Sequence, residues 1–157
     1  MAAEIERKFL VLDDSWRSAD SGTKMAQGYL SLDPDRTVRV RVAGENAWLT
    51  IKGRTKGITR AEFEYPIPLE DAEAMLAICL PSVIDKTRHR VLHAGHLWEI
   101  DVFHGENAGL TVAEVELTTE NEALELPHWA GEEVSGDARY FNSYLAAHPF
   151  QSWGTIL

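Results

Sequence analysis

Acidic and basic side chains in this sequence recur two positions apart and are sorted by sign. Glu62 and Glu64, Glu99 and Asp101, and Glu114 and Glu116 form acidic pairs, whereas Arg39 and Arg41, Lys52 and Arg54, and the run Lys86, Arg88 and Arg90 are basic. The segment that opens the chain carries Glu4, Glu6 and Lys8. Like charges at i and i+2 repel, and more so as water is excluded, so each cluster makes sense where it meets a ligand of opposite sign. Carboxylate sets hold hard divalent cations such as Mg²⁺ or Mn²⁺, Arg grips phosphate oxygens in bidentate fashion, and Lys acts as a point charge. Together the two sets describe a site for a metal-bound polyphosphate.

A spacing of two is the repeat of a β-strand, whose alternate side chains share a face about 7 Å apart. Apolar residues take the other parity: Ile5, Phe9 and Val11, then Val38, Val40 and Val42, then Trp98, Ile100 and Val102. Alternation and turn signals predict eight antiparallel strands over 3–12, 24–32, 36–44, 47–55, 60–67, 83–93, 96–104 and 110–119. Tight reversals come from Asp33-Pro34-Asp35, Gly44-Glu45-Asn46, Lys56-Gly57 and Ala94-Gly95. Residues 69–79 read as an amphipathic helix with acids in its first turn. A second helix is expected from Asp137, its cap, through Tyr140, Phe141, Tyr144 and Leu145 to Pro149, with a frayed tail over 151–157.

Eight antiparallel strands close into a barrel whose alternate side chains point inward. The expected fold is therefore mainly β: one domain over 1–157, a closed eight-stranded antiparallel tunnel with a charged interior and flanking helices. So many charges cannot be buried unpaired, which makes the tunnel wet and occupied by ions and substrate. The apolar parity then forms an outer wall that two helices cover only in part, and a homodimer contact is expected over the rest. A half-buried sheet showing charges to water is the competing reading, which explains alternation but not sorting by sign.

Composition narrows the partners. Asp and Glu number 25 against 15 Lys and Arg, a net charge of −10 that repels a nucleic-acid backbone. No apolar run is long enough to span a membrane and no signal peptide is evident, so a cytoplasmic setting is expected. The lone Cys79 reads as a buried inert thiol, and the six histidines form no zinc motif. Trp48, Trp98, Trp129 and Trp153 are expected to pack rather than stack on bases. Walker, dinucleotide-binding and nucleophile-elbow motifs are absent.

Glu4-x-Glu6-x-Lys8, followed in order by Arg39-x-Arg41, Lys52, Glu62-x-Glu64, Lys86-x-Arg88, Glu99-x-Asp101 and Glu114-x-Glu116, resembles the CYTH family of triphosphate tunnel metalloenzymes. The stretch Gly136 to Asn142 also resembles the ending of its short bacterial members. This resemblance implies a tunnel that binds a triphosphate with one or two divalent metals and cleaves a phosphoanhydride bond, inorganic triphosphate being the usual substrate of the short type. Class IV adenylate cyclase, nucleoside or thiamine triphosphatase, and a non-catalytic polyphosphate-binding module are the alternatives. The His-Phe pair that precedes the acidic motif in class IV cyclases is missing, as is a following CHAD domain, so the tunnel is expected to act alone.

The same resemblance implies roles. Glu4, Glu6 and Glu116 hold one metal, and Glu62, Glu64, Asp101 and Glu114 are candidates for a second. Lys8, Arg39, Arg41, Lys52 and Arg88 hold substrate, with Arg54, Arg90 and Glu99 at strand ends as further contacts. Lys86 orients the attacking water, and Glu64 or Glu114 takes its proton.

Overall fold

The computed structural model describes residues 3–18 and 21–155. Alternating β-formers build β1 (Ala3–Val11), β2 (Thr23–Ser31), β3 (Arg36–Ala43), β4 (Asn46–Gly53), β5 (Thr59–Pro66), β6 (Leu80–His93), β7 (His96–Phe103) and β8 (Thr111–Glu116). Two-residue turns at Gly44-Glu45 and Ala94-Gly95 join β3 to β4 and β6 to β7. Gly44, Ala94 and Gly95 all take positive φ there, the conformation that matches such turns to the strand twist. The order β5-β4-β3-β2-β6-β7-β8-β1 closes through pairing of β1 with β5, giving the expected eight-stranded antiparallel barrel.

Closure is uneven at β1. One edge pairs with β8 over Glu6–Leu10. The other pairs with β5 only over Ala3–Ile5, then with a further short strand, β9 (Ala130–Glu133), at Phe9 and Val11. Its sequence, Ala-Gly-Glu-Glu, has no strand signal. It forms because β5 leaves an unpaired edge, which another chain segment covers. Arg7 secures the junction through two bonds to Glu133, at 2.7 and 3.0 Å.

The main apolar core lies outside the barrel. Phe9 of β1, Trp98 and Ile100 of β7, and Ala113 and Val115 of β8 all sit on the parity opposite the charges, and Trp16, Leu117 and Trp129 from neighbouring segments bury them. A second outer cluster forms where α1 (Leu69–Leu76) lays Ala72 against Val40 and Ala47. Ile51, Phe63 and Tyr65 on β4 and β5 remain partly exposed. Cys79, expected to be buried, is half-buried just past α1, and its thiol meets the Met75 carbonyl.

The second helix departs from expectation. Asp137 does cap, accepting the Arg139 N–H, but the turn Ala138–Tyr140 is 3₁₀ and Phe141 is extended (φ −72°, ψ 138°). The α-helix, α2, is confined to Asn142–Ala147. It does not cover the outer wall. Its Leu145 and Ala146 pack on Tyr29, Ile84, Phe103 and Val112, residues on the inward parity that make one end of the barrel apolar. The tail is not frayed through its described part: Phe150–Thr155 forms a 3₁₀ helix with Trp153 against Tyr140, Tyr144 and Phe150, while Ile156 and Leu157 lie outside the described residues. No helix among the described residues is long and apolar enough to cross a membrane.

Candidate functional site

Strand register carries the charged parity into the lumen. Glu6 lies directly across from Glu116, Lys8 from Glu114, Lys52 from Glu62, and Arg88 from Asp101. Two adjoining cavities result. The one at the end closed by Phe141 and Asn142 is lined by Lys8, Lys86 and Arg60. The other, about 260 Å³, opens at the far mouth between Glu62, Glu64, Arg90, Glu99 and Glu116. Glu4, Glu6, Arg39, Arg41, Lys52, Arg88 and Glu114 border both.

The cations are held in distinct ways. Lys52 Nζ bridges Glu4 at 3.0 Å and Glu62 at 3.3 Å. Lys8 Nζ stands 3.5 Å from Glu114 and donates to the Tyr140 carbonyl at 3.1 Å. Arg39 donates to Thr50 at 3.3 Å and lies 3.6 Å from Glu64, yet its Nε is buried with no hydrogen-bond partner. A buried donor without an acceptor is costly and suits an anionic ligand. Arg41 makes no ion pair among the described residues, and its Nε donates instead to the Gln27 amide oxygen. Burial, with Arg39 and Arg88 nearby, pulls the Arg41 guanidinium down to about 9.

Lys86 and Asp101 are the most deeply placed pair, with side chains 0% and 1% exposed. Asp101 accepts from Lys86 at 2.8 Å and from Arg88 at 2.8 and 2.9 Å. Burial opposes its ionisation, but these two cations hold its carboxyl well below the usual carboxylate range. Both its oxygens are engaged and it borders neither cavity, which conflicts with the expected role as a metal ligand. Burial brings Lys86 down to about 7, Arg88 and Arg41 adding to the effect.

Carboxylates crowd the lumen. Burial, then Glu114 and Glu4, pushes Glu6 up to about 8. Burial and the neighbouring Glu4 and Glu99 raise Glu116 as well. Opposed like charges are destabilising and call for a cation between them, and an all-oxygen donor set suits a hard divalent ion, so the residues fit such a metal. Among the described residues no three carboxylates converge into a ready coordination shell, since Glu4 and Glu62 turn onto Lys52 and Glu114 onto Lys8.

Arg54 does not join the site. β4 ends at Gly53, so the parity lapses, and Arg54 turns outward to an ion pair with Asp35 beside an apolar groove. Arg90 reaches the mouth but is half exposed, 3.7 Å from Glu99. Some residues of the site carry no signal of the kind that marks the others. Arg60 lines the closed end and continues the parity of Glu62 and Glu64, so it is legible on that ground; Asn142, which lines the same end, and Gln27, buried behind Arg41, are neutral, with no sign to sort. Trp48, expected to pack, lines the open mouth, whereas Trp98 and Trp129 pack in the outer core.

Comparison with known proteins agrees with this geometry. A family model described as CYTH domain matches residues 2–142. An inorganic triphosphatase of Acetivibrio thermocellus is 44% identical over 154 residues, covering 98% of this chain and 99% of that protein. An inorganic triphosphatase of Nitrosomonas europaea is 37% identical over 149 residues, covering 91% and 96%. The crystal structure of an inorganic triphosphatase superposes with a TM-score of 0.66 at 34% identity, over 91% of this chain and 97% of that one.

Proposed function

We propose, since this chain belongs to the CYTH family, that it is a divalent-metal-dependent hydrolase cleaving a phosphoanhydride bond of inorganic triphosphate inside its barrel. The observation that carries this reading is a single lumen where Arg39, Arg41, Lys52 and Arg88 face Glu4, Glu6 and Glu114. Glu4, Glu6 and Glu116 would hold Mg²⁺ or Mn²⁺, with Glu62, Glu64 and Glu114 available to a second ion. Bound metal offsets phosphate charge and lowers the pKa of its water.

The chain's own groups do the positioning that phosphoryl transfer chiefly requires. Lys8, Arg39, Arg41, Lys52 and Arg88 would grip the non-bridging oxygens, Arg39 through its unpartnered Nε, and Arg60 would extend the grip at the closed end. Lys86 would orient the attacking water. Glu64, bonded to Thr50 at 2.9 Å and open to the mouth, is better placed to accept a proton than Glu114. Burial opposes ionisation of Glu114, yet Lys8 and Arg88 bring it down to about 2. Asp101 would hold Lys86 and Arg88 in place rather than bind metal.

A homodimer contact over Ile51, Phe63 and Tyr65 stays part of the proposal, and a monomer mass in solution overturns it. The acidic charge leaves nucleic acid and membrane outside the proposed partners, and a cytoplasmic setting is retained. The decisive assay offers inorganic triphosphate, ATP and thiamine triphosphate with and without Mg²⁺ or Mn²⁺. Metal-dependent release of phosphate and diphosphate is expected from inorganic triphosphate, abolished in the Glu4→Ala/Glu6→Ala double variant. A protein that triphosphate stabilises thermally without turnover would instead be a binding module.

A further inference from the structure

The cations of the lumen are linked by two neutral amides that the proposed chemistry does not use. Gln27, on the inward parity of β2 and 0% exposed, accepts from Arg41 Nε at 2.9 Å. Its amide nitrogen donates to Asn142 Oδ1 at 2.9 Å, and that oxygen also accepts from Lys86 Nζ at 3.1 Å. The amide orientations are fixed by the ends of this chain of bonds. Arg and Lys can only donate, so each amide must turn its oxygen to the cation, and the Gln27 nitrogen is left for Asn142.

We propose that Gln27 and Asn142 are positioning residues for triphosphate: Gln27 holds Arg41 through a neutral acceptor so that its charge stays available to phosphate, and Asn142, itself fixed by Lys86, holds the Gln27 amide in that orientation. The proposal rests on the triphosphate reading of the tunnel. Its physical ground is a contrast among neighbouring cations. Lys52, Lys86 and Arg88 are each held by carboxylates, which offset much of their charge before any ligand arrives. Arg41 is half-buried beside other cations, Arg39 and Arg88, and has no ion pair among the described residues. A carboxylate at position 27 would relieve that crowding, and an amide does not. Holding a guanidinium by one neutral bond fixes its direction and leaves its remaining N–H groups for a phosphate, and Arg41 borders both cavities of the lumen. Asn142 opens α2, so the same amide pair ties the segment closing the tunnel to the groups inside it.

The test replaces amides with isosteric carboxylates, Gln27→Glu and Asn142→Asp, in the full chain. Inorganic tripolyphosphate is titrated by calorimetry in EDTA, and turnover is then measured with Mn²⁺. In Gln27→Glu, Kd and KM are expected to rise about tenfold to a hundredfold, the factor that follows loss of one charge-assisted contact, with kcat changing less. Its melting temperature is expected to hold or rise, because a half-buried guanidinium without an ion pair gains a counter-ion. A purely structural amide predicts unchanged affinity in that variant. Asn142→Asp places the carboxylate against Lys86 at a helix start that accepts acids readily, and it carries the test should Gln27→Glu fail to fold. Both variants binding tripolyphosphate as tightly as the wild type would overturn the relay and leave the hydrolase reading standing. A wild type that neither binds nor cleaves tripolyphosphate overturns both.

Discussion

At the scale of single residues, Asp101 shows how a carboxylate in an acid-rich pattern can be taken up by neighbouring cations instead. It is sealed from water and bonded to Lys86 and Arg88, two groups that would otherwise repel each other. Asp101→Asn keeps the shape and removes the charge, leaving a buried cation pair without its counter-ion. Breaking such a buried pair from one side costs about 3–5 kcal/mol, and urea unfolding should show that loss. Stability within about 0.5 kcal/mol of wild type would return Asp101 to the list of metal ligands. The sequence made the sign-sorted parity legible because a period of two survives any barrel geometry. Which carboxylate faces metal and which faces cations was not legible, since that depends on depth within the lumen. Asn142 was further out of reach, brought to Lys86 by a segment whose return into the barrel no local pattern announces.

At the scale of elements, β2 is shaped by what lies on its outer side. Gly28 sits where the turn after α1 presses closest, and an added Cβ would stand 2.7 Å from the Cβ and Sγ of Cys79. Glycine inside a strand marks such close approach. Gly28→Ala is therefore expected to destabilise by about 1–3 kcal/mol through overpacking, with Cys79→Gly in the same chain recovering part of the loss. A double variant no more stable than Gly28→Ala would place the strain elsewhere. The eight principal strands could be read from alternation, whereas β9 could not, because it answers an edge left open by β5. The second helix departs from its sequence pattern for a related reason. Tyr140, Phe141, Tyr144 and Leu145 fit helical spacing, but Phe141 turns extended where its ring meets the Lys8 ammonium at the end of the lumen, 5.4 Å from ring centre to Nζ.

At the scale of the whole molecule, a chain with a net charge of −10 concentrates a cationic set inside one tunnel. A polyanion approaching from solvent meets repulsion until it enters, and attraction only within about 10 Å at 0.1 M salt. KM for inorganic triphosphate should rise several-fold between about 0.05 and 0.5 M KCl while kcat holds nearly constant. A KM indifferent to salt would place the binding cations elsewhere or show them masked.

The barrel keeps its oil on the outside and its charge within, so neighbouring residues of one strand answer to opposite demands. On β1, Phe9 anchors the outer core while Lys8 stands in the lumen. A slip of one residue between β1 and β8 would exchange them, sending Phe9 into the charged interior and Lys8 into the apolar layer. Folding and chemistry thus share a single alignment, and a misaligned molecule would forfeit both at once rather than survive as a stable but inactive form.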